Sequence, residues 1–400
     1  MSAMSEATRA SGERMAALYG RQAVDRLPRL EFSIWTTALA RWCREGLPFG
    51  WGDILPPGAP VDESSLPEEV APEMSPALRE HFHFDPIPMH HLSVGSGGCE
   101  APLYPAYEPC VVESLGAHEI IQDVSGRYLR VFAGRRHGFM PEYVRHPVRG
   151  RRDWEEEVKP RLAPEAPGRW QRFDREIQAA RQAREQGLML RQSLIGGYMF
   201  LRVLIGPEDL LYTFYDDPEL IHDMMRQWMR LMDYSVAKVQ AELDLDELYL
   251  DEDICYNHGL LISPAMFEQF LLRYYQQVVG AARRRQKGKL YFQVDTDGYA
   301  VPAIPLYLKC GMDVMTPFEV AGGNDLLAIA EDYPDLILIG GIDKRVLAEG
   351  RSAIAEHLRR VVPPLVRQGG FVPMCDHGVP DDVSYRNYLY YRELMCELDH

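Results

Sequence analysis

The chain has 400 residues, 46% of them hydrophobic and 26% charged, and a formal net charge of -16. That length suits two domains or one large α/β barrel, and the composition is that of a globular chain with ample material for a core. The acidic balance argues against nucleic acid as a partner, because a phosphate backbone is bound by clustered Lys and Arg.

The basic clusters, Arg149–Arg152 and Arg283–Arg285, are short and read as solvated helix ends or turns. Seven cysteines at irregular spacing, without a CxxC pair, point to a reducing compartment and to thiols used mostly as small buried hydrophobes. The opening MSAMSEATRASGERMAALYG lacks the apolar stretch of a signal peptide, and no run approaches the ~18 apolar residues of a membrane span. The expected location is cytoplasmic.

In chain order, residues 1–27 read as an N-terminal extension, either a mobile start or one amphipathic helix. RLEFSIWTTALARWCREGLP predicts a strand from Leu30 to Trp35 and then a helix stopped by Gly46 and Pro48, a first β/α unit. Pro56–Pro88, rich in proline and acids, reads as an excursion over a rim. GSGG at Gly95–Gly98 is expected to have no buried strand before it and has no Lys-Ser/Thr after it, so it reads as a plain turn rather than a phosphate loop. Alternating apolar residues from His118 to Arg135, about Ser125-Gly126, predict an inserted β-hairpin. A charged helical region runs from Asp153 to Gln186.

After Gly187, LMLRQSLIGGY has strand character, and Arg191 within it must be paired or face a cavity. Asp217 and Pro218 open a helix with Leu220, Met224, Trp228 and Leu231 on one face; Ser263 and Pro264 open another with Phe267, Leu271, Tyr274 and Val278. Strands are expected at Leu248–Leu250, from Leu290, and at Met312–Met315, Leu336–Ile339 and Phe371–Met374, with a last helix after Ser384. Such alternation implies a parallel sheet. No glycine fingerprint follows the first strand, and polar groups end at least five strands, so the expected fold is α/β, a (β/α)8 TIM barrel with N-terminal excursions and an inserted β-hairpin. One barrel domain spans 28–400, with 56–186 holding insertions over the rim.

The stretch KLYFQVDTDG, Lys289–Gly298, shows the pattern most clearly: a buried strand running into Asp295 and Asp297. The other strand ends bring Glu252 and Asp253, Glu319, Asp343 with Lys344, and Asp376 with His377. Clustered carboxylates push each other's pKa apart, so one stays protonated while another is ionised. His377, in CDHGVP, is the expected acid or base. The bland reading makes several of these acids helix caps, and it is preferred for Asp343 and Glu319. His90, His91, His222, His258 and His357 are expected on the surface or in packing, and Cys375 as a buried thiol.

As a set, LISPAMFEQFLLRYYQQVV, DTDG, CGMDVMTPFEV, LILIGGIDK and CDHGVPDDVSYRNYLYY resemble the uroporphyrinogen decarboxylase (URO-D) superfamily, which also holds corrinoid-dependent methyltransferases. The resemblance covers roughly residues 25–397 and implies a (β/α)8 barrel with its cleft at the carboxyl ends of the strands. It departs in two places. The arginine-bearing N-terminal segment of the decarboxylases is missing, since Arg21-Gln22-Ala23 is followed by valine. Where the zinc-dependent methyltransferases carry His-x-Cys this chain has Asp295-Thr296-Asp297, leaving a metal unknown.

The expected function is methyl transfer between a small methylated substrate and a corrinoid carried by a partner protein, with no cofactor held tightly by this chain. In that reading His377, Asp295 and Asp297 are catalytic, while Arg191, Glu252, Asp253, Glu319 and Asp376 bind substrate. The alternatives are decarboxylation of uroporphyrinogen or another tetrapyrrole or small carboxylate, and non-catalytic binding of a tetrapyrrole or corrinoid protein. No membrane is expected as a partner, and the resemblance makes a homodimer a reasonable expectation.

Overall fold

The computed structural model describes residues 3–55, 66–134 and 141–399. Part of the expected rim excursion, 56–65, and the Arg135 end of the expected hairpin lie outside them. The strands in chain order are β1 (Ile34–Trp35), β2 (Glu69–Val70), β3 (Met89–Leu92), β4 (Cys110–Leu115), β5 (His118–Gln122), β6 (Tyr128–Phe132), β7 (Glu142–Arg145), β8 (Met189–Ile195), β9 (Glu247–Asp251), β10 (Cys255–Tyr256), β11 (Gly259–Leu260), β12 (Tyr291–Asp295), β13 (Val314–Thr316), β14 (Ile337–Ile339) and β15 (Phe371–Val372). Seven of them form one curled parallel sheet in the order β15-β14-β13-β12-β9-β8-β3.

The eighth position of the barrel is held by less regular chain. Arg29 accepts from the Asp85 amide at 2.8 Å, Ser33 accepts from the Val379 amide at 2.9 Å, and Trp35 donates to Val379 at 3.1 Å, so Arg29–Trp35 spans the gap between the two edges. Only Ile34 and Trp35 of the expected strand are regular, paired with β2. A side chain replaces part of the ladder: the buried Glu31 carboxylate accepts from the Cys375 amide at 2.6 Å and from the Tyr388 hydroxyl at 2.9 Å. The helix that follows, Thr36–Glu45, ends where predicted, with Gly46 at φ 109.

From β8 onward, helices alternate with the barrel strands along the chain. Asp217 accepts from the Leu220 amide at 3.0 Å, and Ser263 and Ser384 cap in the same way, so three helix starts read from sequence are built as read. The short basic clusters are surface pairs: Arg149 meets Asp153 at 2.7 Å and Arg285 meets Asp233 at 2.5 Å.

Two features differ from expectation, and one settles an alternative. The predicted hairpin, β5 with β6, is the middle of a four-stranded antiparallel sheet β4-β5-β6-β7. Its outer strands escaped the reading because every residue of β4 is exposed and β7 is nearly so, leaving no alternation to detect. Of the two expectations for the N-terminal residues the helix holds, over Ala3–Tyr19, with Met15, Leu18 and Tyr19 in the core. Finally, a strand, β3, does precede the Gly95–Gly98 turn.

Candidate functional site

Side chains alternate along each barrel strand, and one face of the alternation fills the interior. The inward rows bring His91 from β3, Arg191 from β8, Tyr249 from β9, Gln293 from β12 and Thr316 from β13 around a cavity of about 550 Å³. Arg191 has its charge answered inside the barrel. It ion-pairs with the fully buried Glu247, without the alignment of a hydrogen bond, and donates to Gln293 at 2.9 Å. Its guanidinium lies 4.6 Å from the Tyr249 ring centroid. Burial pushes the Glu247 carboxyl up and Arg191 draws it partly back. His91 is open to the cavity yet ringed by protein; burial, with Arg191 and His90 beside it, takes its pKa down to about 3, so the ring is neutral near pH 7.

At the carboxyl ends of the strands the same rows end in acids. Asp251 and Asp295 stand side by side in the register of β9 and β12. The Tyr249 hydroxyl donates to Asp295. Burial raises the Asp295 pKa well above the carboxylate range; the Tyr249 bond opposes this, and Asp297, Asp251 and Asp253 add to it. Burial likewise lifts Asp251 to about 6, against the pull of Arg191 and Cys99. Asp297 also reaches about 6, because burial and the charges of Asp253 and Glu319 outweigh His377 and Lys344.

His377 Nε2 is 3.8 Å from the Asp297 carboxylate. Its Nδ1 accepts from the Gly378 amide at 2.8 Å, which leaves the proton of the neutral ring on Nε2, facing Asp297. The ring packs on Phe32 with centroids 4.8 Å apart. Asp253, at φ 47, pairs with Arg202 at 3.4 Å on the rim. Glu319 accepts from Lys344 at 3.1 Å and from the Gly298 amide at 3.0 Å. Burial would raise the Glu319 pKa, but the Gly298 and Lys344 bonds bring it below the usual value.

A family model described as Uroporphyrinogen decarboxylase (URO-D) matches residues 140–396, well over half of the chain. The chain belongs to the URO-D family. Among curated proteins, a uroporphyrinogen decarboxylase of Hydrogenobaculum sp. (strain Y04AAS1) is 20% identical over 189 residues, 46% of this chain and 51% of the relative. The chain therefore spans about half the length of the curated relative it matches. Among solved structures, a methyltransferase from Methanosarcina mazei superposes with a TM-score of 0.56 at 13% identity, covering 97% of this chain and 98% of that one. That likeness is one of fold: the URO-D-type α/β barrel.

Within this URO-D barrel two of the sequence-predicted site residues are turned away from the mouth. Glu252, one residue after Asp251, has the opposite parity and points outward into the helices. The residue is 1% exposed, and its carboxyl accepts from the Tyr198 amide at 2.8 Å and the Tyr275 hydroxyl at 2.6 Å. Asp376 is wholly buried and ties loops together, accepting from the Val320 amide at 2.7 Å and the Lys344 amide at 3.1 Å. Both act by geometry as structural carboxyls, so the expectation that they bind substrate is corrected. Asp343 caps its helix through the Arg345 amide at 3.0 Å.

The zinc chemistry of some URO-D relatives finds no matching donor set here. Cys375 is fully buried with its amide on Glu31, and among the described residues no three His, Cys, Asp or Glu side chains are grouped to hold a metal ion. The cysteines are all unbridged, but only Cys255, Cys310 and Cys375 are buried. Cys99, after the Gly95–Gly98 turn, stands 3.8 Å from Asp251 at the mouth; burial and the surrounding carboxylates raise its thiol to about 12.

His91, Tyr249, Asp251 and Gln293 were missed. Reading DELYLDED and YFQVD with period two from Arg191's neighbours would have found the last three. His91 sits in MHHL, too short for its alternation to stand out.

Proposed function

We propose that this chain is a barrel enzyme that moves a methyl group from a small methylated substrate to a corrinoid carried by a partner protein. The observation that carries the reading is Asp295, which stands in register with the cavity-lining Thr316, accepts from the cavity-lining Tyr249, and has its pKa raised by burial among Asp297, Asp251 and Asp253. When bound, the corrinoid would supply the acceptor of the methyl group. The residues of this chain bind the substrate between Arg191, Asp253 and Glu319 and hold a proton on the Asp295 carboxyl. As the methyl–heteroatom bond breaks, the electron pair stays on the heteroatom and the Asp295 proton moves to it. Such general-acid help contributes roughly 100-fold to 10,000-fold. Asp297 and His377, paired through Nε2, are the route by which the proton is replaced.

Family membership supports a second reading, decarboxylation, in which the same acids protonate the carbon left behind. A tetrapyrrole with eight carboxylates suits this site poorly. Such a ligand asks for several arginines, whereas Arg191, already paired with Glu247, is the one arginine among the described residues lining the cavity, and the mouth is acidic.

The test is the spectrum of a cob(I)alamin protein on mixing with enzyme and a panel of methylated compounds. A change with one of them, reduced about 100-fold or more in rate by Asp295→Asn, supports methyl transfer. Carbon dioxide release from uroporphyrinogen, with no spectral change across the panel, overturns it in favour of decarboxylation. Ligand binding without either reaction leaves a binding role.

A further inference from the structure

Most polar groups around the barrel cavity are already answered. Glu247 is fully buried against Arg191, the Gln293 carbonyl oxygen accepts from Arg191, and the Tyr249 hydroxyl is spent on Asp295. His91 is different. It is exposed, it lines the cavity, and neither ring nitrogen has a hydrogen-bond partner among the described residues. In register beside it on β8 is Arg191, whose side chain is 12% exposed and whose Nη1 also lacks an acceptor among the described residues. Burial, Arg191 and His90 keep the His91 ring neutral near pH 7, so it offers one bare nitrogen and one N–H, while Arg191 offers N–H alone. Since Glu247 cancels Arg191 and the ring is neutral, the floor holds no net charge to repay the desolvation of an ion of either sign. Hydrogen-bond valence then decides. A hydroxyl both donates to the bare nitrogen of His91 and accepts from Arg191, whereas an ether has no hydrogen to give.

We infer that His91 is the specificity-determining residue of this cavity, and that it accepts a hydrogen bond from a hydroxyl at the end of the ligand remote from Asp295. Through Arg191 and Glu247 the register sets His91 level with Tyr291, four residues before Asp295 on β12, or about 13 Å of strand. The cavity spans that rise, because Thr316, level with Asp295, lines it too. The ligand is thus a small molecule with a hydroxyl on the floor, an apolar body against Phe32, Met89 and Met374, and its reacting heteroatom at the far end. This assignment rests on the reading above only in taking the cavity for the substrate site.

Calorimetric titration of the full chain with cyclohexanol, cyclohexyl methyl ether and cyclohexanecarboxylate tests the inference. The alcohol is expected to bind about fivefold to tenfold tighter than the ether, which keeps the acceptor and loses the hydrogen, and tighter than the carboxylate. His91→Leu should bring alcohol and ether to within about twofold of each other, and His91→Gln, which keeps an acceptor, should restore the gap. In the parent, the ring-nitrogen resonances of His91 should shift with the alcohol and stay in place with the ether, a reading that needs no variant to fold. An ether bound as tightly as the alcohol, a carboxylate bound more tightly, a gap that persists in His91→Leu or stays lost in His91→Gln, ring resonances that do not move, or an alcohol that does not bind would each overturn it. Binding is read here without a corrinoid protein or turnover, so its failure leaves methyl transfer to its own assay, and absent methyl transfer leaves the ligand class standing.

Discussion

At the residue scale, the site is a set of carboxyls whose environment decides which of them keeps a proton. Asp251 makes this measurable. Its pKa rises from 3.8 to about 6 on folding, so between those values the native state binds more protons than the unfolded chain. Its contribution to stability is therefore full below about pH 4 and lost as pH rises through about 6. Asp251→Asn should raise the melting temperature relative to the parent at pH 7, and the gain should vanish near pH 4. An equal gain at both pH values would mean that Asp251 titrates normally. Asp295, Asp297 and His377 were legible in the sequence because each follows an apolar run. Glu252 was misread because adjacent residues running off a strand face opposite ways, and a string of acids such as DED does not announce which members look inward; Asp376 lies in the loop beyond β15, where no strand period applies.

At the element scale, two contacts hold the frame of the site. The helix Ala3–Tyr19 lies under the barrel with Tyr19 donating to Gln293 at 3.4 Å, and a Cβ on Gly12 would stand 2.1 Å from the Gly187 carbonyl oxygen. Ala at position 12 gains about 1 kcal/mol of helix propensity. Pressing a methyl group into a backbone that cannot swing aside costs roughly 1–3 kcal/mol, and at 2.1 Å the clash wins. Gly12→Ala should thus lower the urea midpoint, and a raised midpoint would show that the helix is not docked there.

The second contact is Glu252 at the start of the helix Gly197–Ile205. Burial lifts its pKa from 4.5 to about 8, against the bonds from Tyr275 and Tyr198. Its contribution is complete below about pH 4.5 and lost as pH climbs through about 8. Glu252→Gln keeps an acceptor for the Tyr198 amide and removes the titration, so its melting temperature should fall less than the parent's between pH 6 and pH 9. Parallel curves would contradict the burial assigned to this carboxyl. Helices and long strands were legible because their periods of 3.6 and 2 persist. β3, with four residues, and β4, exposed throughout, carry no such period.

At the scale of the whole molecule, a curled parallel sheet of seven strands, with Arg29–Trp35 in the eighth place, carries side chains distant in sequence to one acidic mouth. The net charge of -16 is in part concentrated there, as Asp251, Asp253, Asp295, Asp297 and Glu319 around Lys344 and His377. Among the described residues no helix is long and apolar enough to cross a membrane. The barrel was legible because acids and glycines recur at strand ends. The character of the cavity was not, since it depends on pairs such as Arg191 with Glu247, 56 residues apart by number, that only folding brings together.

The proton of Asp295 is what the proposed methyl transfer needs most. Infrared difference spectra of the parent against Asp295→Asn at pH 7 read it without a substrate. The expected result is a protonated-carboxyl band that is present in the parent and absent from the variant. A parent whose Asp295 is already ionised at pH 5, with no such band to lose, would leave the mouth without its acid and contradict the account.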